Sequence, residues 1–195
     1  MIDRDISKSM HYLEKIPDRI RETLAPIAGW SDECATRLVD SNDVLCVGVG
    51  KTALVAQRFC AFLRSVGKQS DFLLAGEALH GELGRIKAST TIFAISKSGE
   101  SPEIRNLIQT LRYKKLASQV ISLTGSNDNW LAQNSDLACV LPVVEYDVVD
   151  RMPLLSTNLQ NFACDVLTMA IADTLGFGNA EFKLNHPGGN LGVYA

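Results

Sequence analysis

Short apolar runs alternate along the chain with longer stretches in which apolar residues recur every three or four positions. VLCVGVG (44–50) is the first run and reads as a strand ending in a glycine loop. Val55, Phe59, Phe62 and Val66 follow at helical spacing. DFLL (71–74) and STTIFAIS (89–96) are the next strand candidates. Ile104, Leu107, Ile108 and Leu111 mark one face of a helix. SQVISLTG (118–125) and DLACVLPV (136–143) complete a set of five runs. Leu155, Leu159, Phe162, Val166 and Met169 trace a long last helix, which Gly176 and Gly178 break before NHPGGNLG. The first forty residues are helical in pattern, with breaks expected near Pro17 and Pro26.

Strand and helix patterns in this alternation predict an α/β protein, a three-layer α-β-α sandwich around a five-stranded parallel sheet. One domain is expected over residues 1–195, with a helical N-terminal segment to about residue 42. Apolar residues form 46% of the chain, enough for one sizeable core. The net charge of −3 comes without any block of like charges, which argues against nucleic acid as a partner. Five cysteines, none at C-x-x-C spacing, lie mostly in apolar stretches and are expected to be buried free thiols. The charged N-terminus is unlike a signal peptide, and no segment has the length of a membrane span. The expectation is a cytoplasmic protein with no membrane partner.

In a parallel sheet, ligands bind beyond the carboxyl ends of the strands, so the loops there carry the candidate chemistry. The loop after the first strand admits three readings. Gly50, Lys51 and Thr52 fit the end of a nucleoside-triphosphate loop, but Leu45 occupies its first glycine position. Gly48, Gly50 and Ala53 fit a dinucleotide fingerprint, but the acid expected beyond the second strand is missing. The third reading joins this loop to SKSGESPEI (96–104). Ser96, Ser98 and Ser101 offer three hydroxyls around one glycine, and Pro102 and Glu103 suit the first turn of the next helix. Hydroxyls, backbone N–H groups and a helix N-terminus together cradle a phosphate without metal or nucleotide base. Gly50, Lys51 and Thr52 would add to that grip, although capping and surface serines are an alternative for the second loop.

The motifs GVGKTA (48–53), GEALHGELG (76–84), ISKSGESPEI (95–104), LTG (123–125) and LNHPGGNLG (184–192) resemble the sugar isomerase (SIS) domain family, and within it the arabinose 5-phosphate isomerase branch. The resemblance runs from about Val44 to Gly192. It implies a flavodoxin-like SIS fold, a homotetramer, a sugar-phosphate substrate and no cofactor or metal. It implies interconversion of D-ribulose 5-phosphate and D-arabinose 5-phosphate, which in the family feeds synthesis of an eight-carbon acid sugar for lipopolysaccharide or capsule. The catalytic set it implies falls on Lys51, Glu103, Glu145, His186 and His80, and its phosphate site on Gly50, Thr52, Ser96, Lys97, Ser98 and Ser101. Lys97 departs from the neutral residue usual between the serines, and YDVVDRMPLLST (146–157) replaces a more regular segment beside the pocket. Many members continue into paired CBS modules, so regulation through such modules is not expected of these residues. Other phosphosugar isomerases and non-catalytic phosphosugar sensors share the fold.

Moving a proton between C1 and C2 of a sugar requires a positioned base and a group that stabilises the enediolate oxygen. The resemblance gives the first task to Glu103 or Glu145 and the second to Lys51. His186 would assist ring opening or a hydroxyl proton shift. Each has a simpler alternative: a first-turn carboxylate for Glu103, a solvated loop residue for Glu145, a surface lysine for Lys51, a turn residue for His186, and an interface residue for His80.

Overall fold

The structure is a computed structural model that describes residues 7–117, 119–143 and 152–189. Five strands, β1 (Asp43–Gly48), β2 (Ser70–Leu74), β3 (Thr90–Ser96), β4 (Gln119–Thr124) and β5 (Leu137–Val140), form one parallel sheet in the order β2-β1-β3-β4-β5. The helices are α1 (Ser7–Asp40), α2 (Lys51–Ser65), α3 (Pro102–Lys114), α4 (Trp130–Gln133), α5 (Leu154–Thr174) and α6 (Asn179–Asn185). The predicted layers and strand count hold.

Alternation along the strands divides the core. Val44 and Cys46 of β1 join Phe93, Ile95, Ile121 and Leu123 beneath α1, α2 and α5. Leu45 and Val47 join Ile92, Ala94 and Val120 beneath α3 on the other face. Two apolar faces explain why the strands read as nearly continuous apolar runs rather than as alternating ones.

The expected breaks in the first helix do not occur: α1 runs unbroken through Pro17 and Pro26. The carbonyls that lose a donor belong to Leu13 and Glu22, both on exposed residues where water can serve them. Burial of Ile27, Trp30, Cys34, Ala35 and Leu38 at helical spacing holds the helix down. Trp30 Nε1 donates to the Val140 carbonyl at 3.1 Å, and buried Lys68 closes the far end through the carbonyls of Val39 and Ser41. Two of the predicted stripes are also shifted. Phe62, Phe162 and Met169 are exposed, and α2 and α5 instead bury Cys60 and Leu63, and Ala163 and Leu167. All five cysteines are buried and free.

The strand order reverses at β1, which pairs with β2 on one side and β3 on the other. From β1 the chain leaves into α2 on one face, and from β3 into α3 on the opposite face. The two outgoing loops diverge and leave a crevice between them.

Candidate active site

Two helix N-termini meet at this crevice. Gly50, the N-cap of α2, adopts φ 57°, and neither it nor Ser101, the N-cap of α3, closes its helix with a side-chain hydrogen bond. Free N–H groups and the positive ends of two helices therefore face the same space, the arrangement that suits a phosphate. Gly48 is required for a separate reason. A Cβ there would lie 2.7 Å from the Ala53 backbone, so the glycine lets α2 start immediately beside its own strand.

The serine loop is built by its own hydroxyls. Ser96, at the end of β3 and 2% exposed, accepts from the Gly99 N–H at 3.2 Å and lies 3.1 Å from the Ser101 hydroxyl. It underpins the loop. Ser98 is exposed and accepts from the Glu100 N–H at 3.3 Å, while Ser101 is half-buried, so these two hydroxyls are more accessible than that of Ser96. Lys51 is exposed at the first position of α2. Thr52 is half-buried and donates its hydroxyl proton back to the Val49 carbonyl at 2.8 Å, leaving only its lone pairs for other partners. Lys97 lies on the β4 side of the loop, where its carbonyl accepts from the Gly125 N–H at 3.0 Å. Glu103 is half-buried in the first turn of α3.

Sequence reasoning missed the residues that hold this loop in place. Asn129 is 8% exposed and caps α4 by accepting from the Ala132 N–H at 2.9 Å. Its Nδ2 donates to Thr124 Oγ1 and to the Ser126 carbonyl, both at 2.8 Å. The amide lies where a side chain on Gly99 would be, because a Cβ at Gly99 would meet its Oδ1 at 2.0 Å. Glu100 ties the loop outward. Its Oε1 accepts from the Trp130 N–H at 2.8 Å, and its Oε2 pairs with Arg105. An asparagine before the apolar Trp-Leu-Ala is a readable capping signal; its approach to Gly99 is not readable.

The other implied residues are spread more widely. His80 is exposed in the turns that follow β2, on the same end of the sheet and one strand beyond β1. His186 lies at the end of α6, its Nδ1 3.0 Å from the Phe182 carbonyl and its ring stacked on Phe182 at 3.9 Å. The neighbouring Asn185 donates to the Ser65 carbonyl at 3.1 Å, which fixes this turn to the last residue of α2. With a rise of about 1.5 Å per residue, that end lies about 21 Å along the axis from Lys51. The chain therefore does not bring its own His186 to its own serine loop. Glu145 and residues 146–151 of the atypical segment lie outside the described residues. Among the described residues, no group of three or more His, Cys, Asp or Glu is arranged to hold a metal ion, and no helix is long and apolar enough to cross a membrane.

Known proteins share this architecture. Arabinose 5-phosphate isomerase KdsD of Escherichia coli K12 is 36% identical over 178 residues, which is 88% of this chain and 54% of that protein. An uncharacterized protein of Helicobacter pylori 26695 is 37% identical over 154 residues, 78% of this chain and 46% of that one. The chain thus spans about half the length of the curated relatives it matches. Among solved structures, c3406 of E. coli CFT073 in complex with arabinose 5-phosphate superposes with a TM-score of 0.81 and 26% identity, covering 94% of this chain and all of that one. The family model of the SIS domain matches residues 37–170, a span that contains the sheet, the diverging loops and the serine cradle, and the chain belongs to that family.

Proposed function

We propose that the chain is an aldose–ketose isomerase that interconverts D-ribulose 5-phosphate and D-arabinose 5-phosphate through an enediol. The observation that carries this reading is the pair of uncapped helix N-termini at the crevice, with Lys51, Ser98 and Ser101 around it and Glu103 one residue into α3. The likeness to KdsD and to a structure that holds arabinose 5-phosphate supports it. The phosphate does not react. Its binding holds the sugar so that C1 and C2 lie against the base, and this converts binding energy into orientation. Glu103 would carry the proton between the two carbons, and Lys51 would stabilise the enediolate oxygen or the phosphate.

Proton NMR of the chain with D-ribulose 5-phosphate in deuterated water tests this. Arabinose 5-phosphate carrying deuterium at C2 is the expected product. A different deuterated aldose would keep the enediol route and replace the substrate. Binding with neither product nor exchange would favour a phosphosugar sensor.

The distance of His186 from the crevice gives that second reading some support, since the sensor needs no histidine there. Under the isomerase reading, a second copy supplies His186 and the crevice is shared between chains. Co-expressed Glu103→Gln and His186→Asn chains should then recover turnover that neither variant has alone. Recovery requires mixed assemblies in which one crevice holds both intact residues. Its absence, with mixed assemblies demonstrated by tagged co-purification, would overturn the shared crevice, and full turnover by His186→Asn alone would remove His186 from the reaction.

A further inference from the structure

The residues assigned to the proposed function leave a second chemical cluster unused. Cys60 of α2 shares one buried cluster with Cys46 of β1 and is 1% exposed. Arg64, one turn along α2, places Nη2 3.0 Å from Cys60 Sγ. The same guanidinium donates from Nε to the Ser70 carbonyl at 2.9 Å and from Nη2 to Asp71 at 3.4 Å, so it bridges from α2 to β2. Ser70 completes the cage, with its hydroxyl 3.6 Å from the sulfur and donating to the Cys60 carbonyl at 2.9 Å.

We propose that Cys46 and Cys60 are an oxidisable dithiol, with Cys60 the hydroperoxide-reactive thiol and Cys46 the thiol that resolves it. A sulfur under a guanidinium and next to a second thiol has both a stabilised thiolate and a partner for disulfide formation. A hydrogen bond from Cys46, with further help from Ser70 and Arg64, brings the Cys60 thiol down to about 6 despite burial. The neighbouring Cys46 is pushed the other way, chiefly by burial. The remaining thiols are in different surroundings. A hydrogen bond to Cys34 and burial hold Cys139 up, and burial raises Cys164.

β2 is an edge strand, and the Arg64 side chain that covers the sulfur is itself 54% exposed. Exposed side chains change rotamer in nanoseconds or less, so movement of Arg64 away from the sulfur needs no unfolding. In the first step the Cys60 thiolate attacks one oxygen of hydrogen peroxide. An S–O bond forms, the O–O bond breaks, and hydroxide leaves as water after taking a proton. Cys60 is oxidised to the sulfenic acid and the peroxide is reduced. In the second step Cys46 gives up its proton and its sulfur attacks the Cys60 sulfur. The S–S bond forms, the S–O bond breaks, and the oxygen departs with that proton as a second water. The bond would join β1 to α2 across the Gly48–Gly50 turn.

The test is brief treatment of the intact native chain with hydrogen peroxide, then alkylation and peptide mass mapping. The expected result is a Cys46–Cys60 linked peptide pair, lighter by roughly 2 Da and restored by dithiothreitol. It should form before any change at Cys34, Cys139 or Cys164. Cys46→Ser should accumulate a Cys60 sulfenic acid that dimedone traps, and Cys60→Ser should leave Cys46 unmodified. Arg64→Met should slow the oxidation several-fold even though it uncovers the sulfur. Oxidation of Cys60 no faster than that of Cys34, Cys139 and Cys164 would overturn the proposal. So would pairing of Cys60 with a thiol other than Cys46, or equal oxidation of Cys46 in a folded Cys60→Ala chain.

Discussion

Glu103→Gln should lower turnover of D-ribulose 5-phosphate about a thousandfold while leaving its binding within about twofold. The substitution keeps the length and polarity of the side chain. It removes only the ability to take a proton, which at a carbon acid is the step with the largest barrier. A thousandfold loss corresponds to about 4 kcal/mol of transition-state stabilisation. A helix-dipole role predicts something else. A carboxylate in the first turn of α3 contributes about 0.3–1 kcal/mol to folding, so its loss would move the melting temperature slightly and turnover hardly at all. The two roles are separated by measuring kcat by NMR, affinity by calorimetry and Tm on one preparation. Unchanged kcat with a lowered Tm would leave Glu103 as a helix residue and move the base to Glu145. Lost binding in a folded chain would place Glu103 against the sugar without assigning it the proton.

The sheet was legible because each buried strand shows a run of apolar residues and each glycine stop marks a carboxyl end. The loops of the site were legible for the same reason: they sit where the runs stop. What the sequence hid is how these pieces meet. Pro17 and Pro26 signal breaks, yet packing of α1 outweighs two missing hydrogen bonds whose carbonyls lie on exposed residues. Thr52 resembles a ligand for phosphate, yet its proton goes to Val49, one turn back. The HPGG histidine looks like a partner of the serine loop, yet Asn185 fastens its turn to the opposite end of α2. Spacing along the chain reports local periodicity, whereas these contacts join residues from 3 to 120 positions apart.

Gly99→Ala should be the most damaging small substitution in the serine loop, destabilising the fold by about 2–5 kcal/mol and weakening sugar-phosphate binding at least tenfold. Two independent effects combine there. Gly99 holds φ 68°, a left-handed conformation that opposes any Cβ by about 1–2 kcal/mol. The added Cβ would also lie 2.0 Å from Asn129 Oδ1 and 2.1 Å from its Cγ. That amide has no easy retreat, since Thr124, Ser126 and Ala132 all bind it. Gly99 is equally fixed, with its N–H on Ser96 and its carbonyl accepting from Leu131 at 3.0 Å. Movement of either would displace Ser98 and Ser101 from the crevice. Gly50→Ala is the internal control. Its φ of 57° with ψ −131° also opposes a Cβ, but nothing lies within 4 Å of the added atom, so its cost is conformational alone and does not depend on Asn129. Asn129→Gly separates the terms further. It should itself destabilise the chain by removing a helix cap, yet Gly99→Ala should do less harm in its presence, with a coupling of about 1–3 kcal/mol by urea unfolding. Strict additivity of the two substitutions would mean that the loop relaxes around the new methyl group and that Asn129 does not hold it.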